Sequence, residues 1–196
     1  FGNGKHKTWH RITHNALQNM EEMVERDVER LELQLQKRWK KIYNPFTPGS
    51  KILVCPPSNK VMNMFDQPEA EEWTTNLVKQ LKQLTDRPIE IRMKPIRSQR
   101  VTGSTIQEAL QDDVHCLVTY NSIAATEALM EGKPAITLGP NAAQLICETD
   151  LTNIETPRIP TKDEMYMFLT HLSYSQFTQP EMEDGTAWKI LREDIR

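Results

Sequence analysis

Arg92, Lys94, Arg97 and Arg100 lie close together, and no acidic residue falls between Ile91 and Gln107. Cations this close repel one another unless water or an anion screens them. Arginine forks also match the oxygens of a phosphate. A solvated basic loop is the plainer reading of this run, and a phosphate or diphosphate site is the sharper one. A second run, Tyr120-Asn121-Ser122-Ile123-Ala124-Ala125-Thr126-Glu127, reads as a polar turn opening a helix with a small first turn. Asn121 and Ser122 suit N-cap positions. The N–H groups around Ser122 and Ile123, with the positive end of the helix dipole, favour an anion. The small Ala124-Ala125 turn is expected to permit close approach. Glu127 stands in an otherwise apolar helix, where a carboxylate suits a ligand hydroxyl. It equally suits an exposed helix face. Ser58 follows Pro56-Pro57 in a break that could shape the same crevice or merely stop a strand.

Other chemistry is poorly represented. The sequence has no G-x-x-x-x-G-K-[ST], no G-x-G-x-x-G and no G-x-S-x-G pattern. His6, His10 and His14 have a helical ligand spacing, but Gly2 and Gly4 suggest a loop there, so no metal site is assigned. His115 begins an apolar run and reads as structural, and His171 reads as a surface or core polar group on a late helix. The three cysteines, Cys55, Cys116 and Cys147, are scattered among apolar residues. That usage argues against a disulfide framework or a zinc site and suits a reducing compartment.

The elements that must position these residues alternate along the chain. Residues 1–15 read as loop. Leu17, Val24, Val28, Leu31, Leu35 and Ile42 predict a long helix from about Ala16 to Tyr43, packed on a domain or paired as a coiled coil in a homodimer. From residue 50 onward the pattern is β-α-β-α-β-α-β-α. Strands are expected at Lys51–Cys55, Pro88–Met93, His115–Thr119 and Ala135–Leu138. Helices are expected at Glu69–Thr85, after the Thr105–Glu108 capping box, and at Ser122–Glu131. Ala142–Cys147 reads as a short helix, and Asn153-Ile154 as a short last strand. Two helices close the chain, one from Pro160 to about Leu172 and one from Glu181 to Ile190. This order predicts an α/β fold with a doubly wound, mostly parallel, Rossmann-like sheet preceded by a long helix. It divides the chain into a basic segment and helix, 1–47, and a Rossmann-like domain with C-terminal helices, 48–196. In such sheets ligands bind beyond the strand carboxyl ends. That makes candidates of the loops Pro56–Lys60, Lys94–Thr102, Tyr120–Ser122 and Gly139–Ala142.

The 196 residues carry a formal net charge of -3, which excludes a global polycation for nucleic acid. The first fourteen residues nevertheless hold Lys5, Lys7, Arg11 and three histidines without an acid. No apolar run approaches the roughly eighteen residues of a membrane span, and no signal-peptide pattern is present. A cytoplasmic location is therefore expected. The chain begins at Phe1, which suits a processed product or a sequence lacking its true N-terminus.

The run Asn121-Ser122-x-x-x-x-Glu127-Ala128-Leu129-x-x-Gly132-x-Pro134 resembles the C-terminal, nucleotide-sugar-binding half of GT-B glycosyltransferases. It is most similar to the capsule-polysaccharide type, which includes Kdo and sialic-acid transferases and bacteriophage-encoded relatives. Arg92-x-Lys94-Pro95 sits where many of these carry an R-x-H-P-like motif, with Lys94 in place of the histidine. The tail from Gln176-Phe177-Thr178 through Gly185-Thr186-Ala187-Trp188 looks like the terminal helix of phage relatives, so the resemblance spans roughly residues 48–192. It implies a metal-independent transferase without a cofactor, using a nucleotide-diphosphate sugar as donor. Ser58, Arg92, Lys94, Arg97, Asn121, Ser122 and Ile123 would hold the donor and its phosphates, and Glu127 a ribose or sugar hydroxyl. The acceptor would be a glycan or, in a viral setting, modified DNA facing Lys5–Arg11 and Trp9. The family's second, acceptor-binding domain is absent or reduced to residues 1–45, so no catalytic base is assigned. A nucleotide-sugar epimerase of the same fold type, or a non-catalytic nucleotide-binding module dimerised through the first helix, are the competing readings.

Overall fold

The computed structural model describes residues 9–13, 23–38, 43–94 and 105–193. In chain order the elements are β1 (His10–Arg11), α1 (Glu29–Arg38), β2 (Lys51–Cys55), α2 (Asn59–Met64), α3 (Ala70–Leu84), β3 (Ile89–Ile91), α4 (Ile106–Gln111), β4 (Val114–Thr119), α5 (Ala124–Met130), β5 (Ala135–Thr137), α6 (Lys162–Ser173), β6 (Gln176–Phe177), α7 (Gln179–Glu183) and α8 (Thr186–Glu193). Short 3₁₀ turns occupy Ala142–Leu145 and Leu151–Asn153. The chain groups into two compact units, one from residues 43–161 and one from residues 1–42 with 162–196.

The 43–161 unit is an α/β fold around a four-stranded, all-parallel, Rossmann-like sheet in the order β3-β2-β4-β5. Its central strands are continuous apolar runs because both faces are covered. Every residue of β4 is buried. Alternation along the strands sends Ile52, Val54, Cys116, Val118 and Ile136 to one face, where they meet Leu77 and Leu81 of α3 and also Ile154. The other strand residues point to the opposite face, where α4 and α5 lie on β4. Burying one such side chain is worth about 1.5–3 kcal/mol. At the amino edge, Lys51 bonds Glu90 and Asp112 at 2.6 Å each. Those hydrogen bonds raise the Lys51 pKa. A tight turn after α5 places Gly132 at φ +71°, and a Cβ there would lie 2.2 Å from the Pro45 carbonyl oxygen. Asn44 N–H bonds Met130 O at 2.8 Å and Lys133 Nζ bonds Thr47 O at 3.0 Å, so the chain entering the unit is laid along that turn.

In the other unit, β1 and β6 pair antiparallel and α1 lies along α6. Arg30 is the centre of this unit. Its guanidinium donates to Ser173 O (3.3 Å), Gln176 O (2.6 Å) and Glu181 Oε1 (2.8 Å), and it stacks over Phe177 at 4.9 Å. Gln34 Nε2 donates to the same Ser173 carbonyl at 2.9 Å.

Several sequence expectations need correction. The long helix over 16–43 does not form as one piece, since residues 23–27 are non-helical and α1 begins only at Glu29. Asp27 accepts from Glu29 N–H (2.9 Å) and Val24 N–H bonds the distant His171 Nδ1 (3.3 Å), so side-chain partners, one local and one far along the chain, stand in place of the helical ladder. Val24 and Val28 are exposed rather than a buried seam; Leu17 and Ile42 lie outside the described residues. The loop expected over 1–15 contains β1. Asn59 and Lys60, expected in the Pro56–Lys60 loop, instead open the helix Asn59–Met64. Asn153-Ile154 is not a strand, because the Asp150 carboxylate caps Thr152 N–H (2.9 Å) and closes a 3₁₀ turn. The final helix divides into α7 and α8 at Asp184-Gly185, where Gly185 has φ +83°.

Candidate functional site

The strand order dictates where a ligand crevice forms. The chain leaves β2, pairs β3 on one side, then crosses to β4 on the other, so the order reverses between β2 and β4. Four carboxyl-end segments gather at that edge: Pro56–Ser58, Arg92–Lys94, Tyr120–Ile123 and Leu138–Asn141. The parallel register pairs Ile52 with Ile89 and Val54 with Ile91, and Arg92 N–H then bonds Val54 O at 2.8 Å. Arg92 is thereby set beside Cys55, both on the α4–α5 face.

On that face the charges of Arg92 and Lys94 act on the Glu127 carboxyl. Burial raises the Glu127 pKa, opposed by a hydrogen bond from the Gln107 side chain and by the positive charges of Arg92 and Lys94. Cys55 reports the same neighbourhood. Burial pushes its thiol up to about 11, with Arg92 pulling it down and Glu127 and Glu90 adding to the rise. A half-buried carboxyl beside two cations from another strand end can accept hydroxyl protons while the cations take an anion. A thiol held up this far is not a nucleophile at neutral pH.

The β4–α5 loop is built differently from its sequence reading. The N-cap position falls on Ile123, in α-helical conformation, rather than on Asn121 or Ser122. Ser122 Oγ still accepts from Ala124 N–H at 3.2 Å, and the Ser122 carbonyl takes Asn141 Nδ2 at 2.9 Å. Ala124 and Ala125 are buried, so their small size serves packing. Asn121 and Ser122 are partly exposed, and the Ile123 side chain is exposed. Ser58 is exposed at the extended residue before α2, its carbonyl receiving the N–H groups of Val61 and Met62.

Three residues of the candidate loops were given no individual role by the sequence. Tyr120 is buried, with Phe65 and Trp73 edge-on at 6.0 Å each, and burial raises its pKa. Gly139 lets that ring in, since a Cβ there would lie 2.4 Å from Tyr120 Cζ. Asn141 is buried, caps the 3₁₀ turn through Ala143 N–H (3.0 Å) and holds the Ser122 carbonyl, so it ties the β5 loop to the β4 loop. The Gly139-Pro140-Asn141 break signalled a turn, and only the fold reveals its partner.

Arg97 and Arg100 lie outside the described residues, as do His6 and His14. His10 lies in β1. Trp9 is 4% exposed, so its ring is not available to stack on a base, and the nucleic-acid reading of Lys5–Arg11 loses its aromatic. His115 is buried with Nε2 2.9 Å from Ile154 O, and His171 is buried as the acceptor of Val24 N–H. The three cysteines are free and buried. Among the described residues no three His, Cys, Asp or Glu side chains gather in a way that could hold a metal ion, and no helix is long and apolar enough to cross a membrane.

No protein-family model matches this chain, and no curated protein does. Among solved structures, KpsC from Thermosulfurimonas dismutans, a beta Kdo 2,4 transferase, is similar to it at a TM-score of 0.44 and 14% identity. That match covers 83% of this chain and 60% of the KpsC chain, so this chain spans less than two thirds of that protein's length.

Proposed function

We propose that the carboxyl edge of the parallel sheet binds a nucleotide-activated sugar, and that the chain is a glycosyltransferase or the donor-binding half of one. The observation that carries this reading is the meeting of Arg92 and Lys94 with the half-buried Glu127 at the point where the strand order reverses. Two cations on one side of the site suit a diphosphate, and a carboxyl beside them suits the hydroxyls of a ribose or sugar. In group transfer the negative charge grows on the departing nucleotide diphosphate. Cations already in place would stabilise that charge without rearranging as the bond to the sugar breaks. Ser58, Asn121, Ser122 and Ile123 line the same edge and complete the proposed donor site. Arg97 joins it through its place in the basic run. In this reading the cations neutralise the leaving group and no metal is needed. A glycan is the proposed acceptor.

The test is a thermal-shift and calorimetric screen of the full chain against nucleotide sugars and nucleoside diphosphates, since a ligand of the native state raises its apparent stability. Arg92→Ala and Lys94→Ala should each weaken diphosphate binding by about tenfold or more, the scale of a charge-assisted hydrogen bond. Unchanged affinity in both variants would reject the diphosphate assignment.

A further inference from the structure

The parallel sheet ends on one side at β3, and among the described residues no strand pairs with it except β2. In that ladder the main chain of Pro88, Glu90 and Arg92 turns toward β2: Pro88 O takes Ile52 N–H and Arg92 N–H reaches Val54 O, both at 2.8 Å. The N–H and C=O groups of Ile89 and Ile91 therefore point off the edge. Ile89 packs on the α3 layer, whereas Ile91 is 46% exposed and Met93, next on that face, 66%. An edge strand with bare apolar side chains is a template for another strand.

Charge decides which strand fits. In Ile89-Glu90-Ile91-Arg92-Met93 the apolar residues share one face, and one anion and one cation share the other. If a second copy lies antiparallel, outward-pointing residues must stand opposite one another, so Glu90, Ile91 or Arg92 falls on the two-fold axis. Centring on Glu90 sets two carboxylates face to face, and centring on Arg92 sets two guanidiniums, both unfavourable. Centring on Ile91 sets each Glu90 opposite Arg92 of the other copy, pairs Ile89 with Met93, and covers Ile91 with its own symmetry mate. We propose that β3 is a homodimerisation edge, at which two copies of this chain join their sheets through an antiparallel pairing centred on Ile91. The proposal is independent of the nucleotide-sugar reading, and it moves the pairing of copies from the first helix to the sheet.

The experiment is sedimentation velocity of the full chain over a wide concentration range, for wild type, Ile91→Lys, Glu90→Arg and Arg92→Glu, with far-UV circular dichroism checking that each is folded. Wild type should dimerise as concentration rises. Ile91→Lys puts two like charges on the axis at an exposed position. Each charge reversal makes both Glu90–Arg92 pairs repulsive. Every one of these variants should weaken dimerisation by about tenfold or more, the scale of two cross-strand pairs turned from attraction to repulsion. An equimolar mixture of Glu90→Arg and Arg92→Glu should recover the dimer, because every charge pair across the edge is then of opposite sign. Misfolded variants would not rescue each other. If Glu90→Arg unfolds through loss of its bond to Lys51, Ile91→Lys alone decides. A wild type that stays monomeric, a dimer that Ile91→Lys leaves unchanged, or two folded charge variants that do not associate when mixed each overturns the assignment.

Discussion

Gly139→Ala is the sharpest structural test of how the candidate site is assembled. The added methyl would lie 2.4, 2.5 and 2.6 Å from Cζ, Cε2 and Cε1 of Tyr120, whereas carbon atoms rest at about 3.5–4.0 Å. The ring must therefore retreat by about 1 Å or more to restore an ordinary contact. Phe65 and Trp73 stand edge-on against it, so retreat disturbs their packing as well. Alternatively the β5 loop moves, which strains the Gly139 N–H to Tyr120 O bond (3.0 Å) and the Asn141 bond to Ser122. Overpacking of this kind costs about 1–3 kcal/mol, or roughly five- to 150-fold in the folding equilibrium. At about 2–4 °C per kcal/mol for a chain of this size, the melting temperature should fall by about 2–12 °C. Urea unfolding followed by circular dichroism measures the loss. The decisive control is the same substitution in a Tyr120→Ala background, where the clash has no partner and the penalty should disappear. If Gly139→Ala costs the same with and without the Tyr120 ring, the two sites are uncoupled and the account of this edge is wrong.

Two further predictions follow from titration. Glu127 has a folded pKa raised by burial, so ionising it works against the fold; the cost appears as pH rises from the unfolded value, about 4.3, through the folded one. Glu127→Gln should therefore be more stable than wild type at pH 7, equal to it below about pH 4, and weaker in binding a nucleotide but not pyrophosphate; a less stable variant at pH 7 would contradict the burial effect. Glu181 is the opposite case. Burial alone would raise its pKa, but hydrogen bonds from Arg30 and Thr178 outweigh burial and hold it below the usual carboxylate range. Its stabilisation is present above the unfolded value and is lost as pH falls through the folded one. Glu181→Gln should cost about 1–3 kcal/mol at neutral pH, the scale of a hydrogen bond between charged groups. The difference should close in acid, and a pH-independent difference would remove the Arg30 ion pair as its cause.

What could be read from the sequence followed burial. The strands Lys51–Cys55 and Val114–Thr119 are apolar on both faces, and only a covered parallel sheet has use for such runs. The helix Ala70–Leu84 shows its inner face through Leu77 and Leu81. The Thr105–Glu108 box is a local device and forms where its residues stand. Errors arose where partners distant in sequence decide the conformation. The apolar spacing through Val24 and Val28 satisfied a helical pattern, yet His171, far along the chain, takes the Val24 N–H and the backbone there is not helical. Likewise β1 exists because Gln176–Phe177 offers it an edge, which nothing near His10 announces.

The candidate site shows the same division at finer scale. Arg92, Lys94 and Glu127 stand out by type, but their meeting depends on register. With Ile89 opposite Ile52, the odd residues of β3 face the α3 layer and Arg92 faces α5. A slip of one residue would turn Arg92 to the other face and leave Glu127 without its cations, at no cost visible in the composition of the loop. Register here is held by apolar contacts of Ile89 and by the Lys51 bonds to Glu90 and Asp112 at the opposite end of the strands. The chemistry at the carboxyl edge is thus set in part by an ion-pair cluster at the amino edge. The strand register that carries Arg92 to the face of Glu127 is therefore fixed in part at the other end of the strands.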